Sequence, residues 1–182
     1  MVTREPADAA ATFARACLLH QQGNLREAAP LYRRVLLADP AHFDAHHMLG
    51  LLHAQQGEFL GAVKAIGHAL KLEPRNQQPL SNFGNVLRAL GQFNEALACY
   101  DAAISENRDD AVIWFNRGLL LAEMRRMPDA VASYDRAISI APAHGEALFA
   151  PAGLRSQAMN DRREVRANGF SVHGIFLSSV ST

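Results

Sequence analysis

The chain has 182 residues, with 18 basic and 18 acidic side chains and a formal net charge of zero. That length suits one domain or one short array, and the balanced charge gives no electrostatic case for a nucleic-acid or anionic-membrane partner. Cys17 and Cys99 lie far apart with no CxxC spacing, so they read as small buried residues of a reducing compartment rather than a disulfide framework.

The start, "MVTREPADAA", lacks the apolar core of a secretory signal, and no apolar run approaches the roughly 18 residues of a membrane helix. A cytoplasmic protein is expected.

Self-similarity organises the rest. Segments 9–42, 43–76, 77–110 and 111–144 align without a gap, and each predicts two helices. In the first, Gly23 ends one helix and the next carries Ala28, Tyr32 and Val35; Pro30 falls about one turn into it and predicts a slight bend, and Pro40 ends it. The second repeats this with Gly50, a stop at Gly57, then Ala62, Ile66, Ala69 and Pro74. The third opens with Pro79 in its first turn, then Gly84, Gly91, Ala96, Tyr100 and Ala103, with Arg108 where the others have proline. The fourth has Gly118, Ala130, Tyr134, Ala137 and Pro142, Pro128 in a first turn, and Arg125 where the turn glycine stands elsewhere. Eight helices are predicted from about Ala9 to Ala141, with no competing strand pattern.

The recurring small residues have a physical use. At Ala16, Gly50, Gly84 and Gly118, and again at the alanines of each second helix, withheld bulk lets two antiparallel helices approach while a Tyr or Ile fills the remaining space. Replacing Gly84 by Leu is expected to overpack the crossing and cost about 1–3 kcal/mol. The freely varying charged positions face water.

These columns resemble the tetratricopeptide repeat (TPR) over residues 9–144. The resemblance implies an all-α fold, a right-handed α-solenoid of antiparallel helix pairs, with a concave wall formed by the first helix of each pair. Carried onto this sequence, the wall takes in His47, Leu51, Asn82, Asn85, Arg88, Phe115, Asn116 and Leu119, alongside Cys17, His20 and Met48. Asn82 and Asn116 recur one repeat apart, and an amide matches the donor and acceptor of a peptide unit. Together with Asn85 they are similar to the asparagine ladder in the TPR arm of O-linked N-acetylglucosamine transferases, and Phe115 is a candidate hot spot. The family's two-carboxylate clamp for chaperone C-termini is disfavoured, because of its required residues only Asn82 fits.

Catalytic and metal signatures are weak beside this pattern. His42 and His46 have the i,i+4 spacing of a metal pair, but no Cys set or HExxH accompanies them. His46 and His53 are expected to fill space between helices, and Trp114 to pack in the core. No P-loop, GxSxG or dinucleotide glycine pattern occurs, and no base is identifiable beside Cys17, so neither enzyme activity nor a cofactor is expected.

Beyond Pro142 the register fades. Residues 145–168 are expected to form a degenerate fifth repeat or capping helix, with Pro151 breaking it, and residues 169–182 a poorly ordered tail. Three readings stay open: an imperfect cap, an apolar end that pairs with another chain, or a reading frame altered beyond about Phe149. The expected function is a scaffold binding a protein or peptide partner. The alternative is the substrate-recognition arm of an O-linked N-acetylglucosamine transferase-like enzyme whose catalytic domain is missing from this chain.

Overall fold

The structure, a computed structural model, describes residues 6–142. The expectations for 145–168, for 169–182 and for self-association through that end lie outside the described residues.

Eight α-helices and no strands make up the described part: α1 (Pro6–Gln21), α2 (Leu25–Ala38), α3 (Phe43–Gln55), α4 (Phe59–Leu72), α5 (Gln77–Ala89), α6 (Phe93–Glu106), α7 (Ala111–Glu123) and α8 (Met127–Ile140). They fall into two compact units, one running to Gln92 with α1–α5, the other beginning at Phe93 with α6–α8. The division falls in the turn inside the third repeat rather than between repeats.

In the first unit α1 packs on α2 and α3 on α4, while α2 also packs on α3 and α4 on α5. Ala16, Ala28 and Tyr32 are fully buried at the first crossing. At the second, a Cβ added to Gly50 would collide with the Ile66 side chain and come within 3.0 Å of the Ile66 backbone nitrogen. In the second unit α7 packs on α8 and α6 on α7. There a Cβ on Gly118 would lie 2.5 Å from Tyr134 Cε1. At Gly50 and Gly118 the small residue is therefore required by contact, as the recurrence predicts. Helix α2 runs through Pro30 without interruption.

The turns close identically. After α1, the Gly23 amide donates to the His20 carbonyl (3.0 Å) and the Asn24 amide to the Leu19 carbonyl (2.8 Å). This pair of bonds, which ties off orphan carbonyls at a helix end, recurs after α3, α5 and α7. It needs a left-handed residue, supplied by Gly23, Gly57 and Gly91 at φ of 78°, 76° and 74°. After α7 the same place holds Arg125 at φ 61°. The motif survives the loss of glycine, at the cost of a strained backbone.

Three of the four first helices, α3, α5 and α7, also begin with side-chain caps. The His42 Nδ1 accepts from the Ala45 amide, Asn76 from the Gln78 amide, and Asp110 from the Val112 and Ile113 amides. The second helices α2, α4 and α8 lack such caps, so their starts depend on the preceding turn and on burial of Ala28, Ala62 and Ala130.

Candidate functional site

The expected wall residues lie on α3, α5 and α7, and each unit holds its own share. In the first unit His47 and Leu51 stand on α3, and Asn82, Asn85 and Arg88 on α5; all five are half-buried. Side chains of α3 and α5 meet directly. Asn82 Nδ2 donates to His47 Nε2 at 2.9 Å. That bond requires an unprotonated Nε2, and burial holds the His47 pKa below its ordinary value, only partly opposed by Asp44. The pair is a neutral amide–imidazole bridge, leaving the Asn82 carbonyl and a second N–H for other partners.

The sequence reading did not anticipate this bridge. Its signal was present: His47 and Asn82 are one repeat and one residue apart, the offset at which neighbouring first helices bring side chains together.

A second polar group lies deeper on the α1 side. His20 is 6% exposed and hydrogen-bonds Tyr32 Oη (3.3 Å) and the Gln55 amide (3.1 Å). Tyr32 in turn donates to Cys17 Sγ at 3.6 Å. Burial lowers the His20 pKa and raises those of Tyr32 and Cys17. A thiol held in its protonated form is a poor nucleophile. Burial similarly pushes the Cys99 thiol up to about 11.

The other histidines are occupied structurally. His42 caps α3, His46 donates to the Pro40 carbonyl (2.9 Å) and stacks on His68, and His53 bonds Glu58 while packing against Gly61. His42 and His46, the spaced pair, thus serve separate local roles. Among the described residues no three His, Cys, Asp or Glu side chains gather as metal ligands.

In the second unit α7 carries Phe115, Asn116 and Leu119. Phe115 is corrected here: it is 2% exposed and packs on Tyr134 with ring centroids 5.7 Å apart, beside Ala111 and Ala137. It belongs to the core rather than to an open wall, because its apolar ring fills the α7–α8 interface. Asn116 is 9% exposed and Leu119 half-buried. Trp114, expected in the core, is half-buried, and its indole N–H donates to the Arg108 carbonyl at 2.9 Å.

No helix among the described residues is long and apolar enough to cross a membrane. Among known proteins, mouse protein O-mannosyl-transferase TMTC1 is 27% identical over 145 residues, covering 78% of this chain but only 15% of that protein. The crystal structure of YrrB, described as a TPR protein with an unusual peptide-binding site, superposes with a TM-score of 0.65 at 22% identity, over 82% of this chain and 80% of that one. An O-GlcNAc transferase mutant from Thermobaculum terrenum matches with a TM-score of 0.61 at 28% identity, over 66% of this chain and 23% of that one. The tetratricopeptide repeat profile matches residues 13–76 and 82–144. With helix pairs, small-residue crossings and turn motifs all repeating on that register, this chain belongs to the tetratricopeptide repeat family.

Proposed function

We propose that this chain is a cytoplasmic, non-catalytic scaffold whose first helices hold an extended peptide segment of a protein partner. The coarser part follows from the family, whose repeats serve protein interaction. The finer part is carried by one observation: the Asn82–His47 bridge, a neutral hydrogen-bonding pair half-buried on the α3–α5 face next to Leu51. Such a surface offers amide groups to a peptide backbone and apolar area to its side chains, with Arg88 as a nearby cation. Asn85 stands with Asn82 on α5, and in the second unit α7 carries Asn116 and Leu119 at the corresponding positions of the repeat in sequence. The peptide-binding site named for YrrB supports the same use.

Each amide–backbone bond contributes about 0.5–1.5 kcal/mol, so losing two weakens binding by roughly 5- to 150-fold. Peptides selected by phage display on the full chain, followed by calorimetry, test this. Asn82→Ala with Asn85→Ala is expected to weaken the selected peptides by that factor; unchanged affinity would remove these amides from the account.

A second reading is favoured by the 28% identity to the O-GlcNAc transferase. Here the chain is the substrate-recognition arm of a related glycosyltransferase, its catalytic portion lying outside this sequence. Selected peptides rich in Ser and Thr, glycosylated when the arm is joined to such a catalytic domain, would favour it over a free-standing scaffold.

A further inference from the structure

The second unit has a cleft of about 650 Å³ bordered by α6, the α6–α7 loop, α7 and α8. None of its lining residues belongs to the wall described above. Ile104 and Trp114 give it an apolar surface, and three arginines line it: Arg108 from the loop, Arg117 from α7 and Arg136 from α8. Against these three cations the lining holds one carboxylate, Asp101. Counting also Asp109 of the bordering loop, which reaches Arg136, two of the three arginines have a carboxylate partner and Arg108 supplies the surplus cation.

The arginines are not equivalent. Arg117 is a tie between helices: Nε donates to Asp101 on α6 (2.7 Å) and Nη1 to Ser133 on α8 (2.7 Å), and the guanidinium lies 5.8 Å from the Trp114 ring centroid. Ser133 is itself fixed by donating to the Asp129 carbonyl. Of five guanidinium N–H donors, these bonds use two. Among the described residues Arg136 reaches only Asp109, at 3.3 Å, and that carboxylate is 80% exposed, so the pair is weak and exchangeable. Arg108 has no carboxylate partner among the described residues, and its loop is anchored by the Trp114 indole. The result is a pre-organised apolar floor and guanidinium donors with spare capacity, a combination suited to an anionic group on an apolar stem.

We propose that this cleft is a second docking site, which takes an acidic segment of a protein partner by receiving a carboxylate side chain among Arg108, Arg117 and Arg136 while its methylenes lie on Trp114 and Ile104. Charge complementarity selects the occupant: a basic or neutral segment would leave the arginine excess uncompensated. The site is independent of the amide wall, and either can fail without the other.

Trp114 is the sole tryptophan of the chain, so its fluorescence reports on this cleft alone. The full chain is titrated with a hexapeptide alternating glutamate and leucine, and with its glutamine counterpart. The expected result is a saturable change with the glutamate peptide that weakens as salt is raised, and none with the glutamine peptide. Arg108→Glu and Arg136→Glu, both at exposed positions, are expected to weaken it about tenfold or more with an unchanged circular dichroism spectrum, and Arg108→Lys to retain part of it. Equal response to both peptides, affinity indifferent to the double charge reversal, or tighter binding of inorganic phosphate than of the peptide would overturn the assignment.

Discussion

Arg125 and the glycines show how single residues set the local energies. Arg125 occupies a left-handed position that costs a non-glycine residue about 1–2 kcal/mol, whereas glycine there would lose more unfolded-state freedom, by roughly 0.5–1 kcal/mol. Relief of this backbone strain in Arg125→Gly should therefore contribute about 0.5–1 kcal/mol, and the loss of the Arg125 side chain's own interactions offsets part of it, so the urea midpoint should rise by less than the backbone gain alone with an unchanged slope. Two helical glycines predict opposite signs for one chemical change. At Gly67 an added Cβ meets nothing within 4 Å, so Gly67→Ala should gain up to about 1 kcal/mol of helix propensity. At Gly118 the same methyl would sit 2.5 Å from Tyr134 Cε1 and 2.7 Å from Cδ1, and Tyr134 is backed by Phe115. Gly118→Ala should cost about 1–3 kcal/mol despite its better propensity. Matching signs for the two alanines in denaturant titrations would refute the contact argument. The recurrence marks Gly118 and not Gly67, so this distinction was legible in the sequence.

At the level of helices, the starts are less uniform than the ends. All four first helices close with one turn motif, while His42, Asn76 and Asp110 open theirs with three different chemistries. Asp110 accepts from two amides, at 2.9 and 3.3 Å, and its charge complements the positive end of α7. Asp110→Ala should cost about 1 kcal/mol, with hydrogen exchange rising first at Val112 and Ile113; exchange rising equally along α7 would point to a packing effect instead. The existence, order and ends of the eight helices could be read from periodicity, glycine and proline because these act locally. Features set by neighbouring helices could not. Phe115 appeared as a wall residue because column position gives an angle around the helix but not how deeply the next helix covers it. The Asn82–His47 bridge pairs side chains from two helices, and residue types alone do not reveal that they choose each other over water.

Across the whole chain, neutrality conceals uneven chemistry. The arginine cleft lies in the second unit, whereas all six histidines among the described residues lie in the first: His20, His42, His46, His47, His53 and His68. For both His20 and His47 burial is the largest cause, and it lowers the folded pKa below the ordinary value near 6.5. The unfolded chain then binds more protons than the folded one between the folded pKa and about 6.5. Stability from these groups is present above that pH and is lost as pH falls through the folded values. Protonating folded His47 also removes the acceptor that Asn82 needs, so the α3–α5 face loses its bridge at the lower end of that window, as pH falls through the folded value. Native-state hydrogen exchange between pH 7.5 and 5.5, corrected for intrinsic rates, should show protection falling in α1, α3 and α5 while α7 and α8 hold theirs. His47→Gln should flatten part of that fall, because glutamine keeps an acceptor that does not titrate. A loss shared evenly by the two units, or one unaffected by His47→Gln, would show that neither buried imidazole controls the acid response.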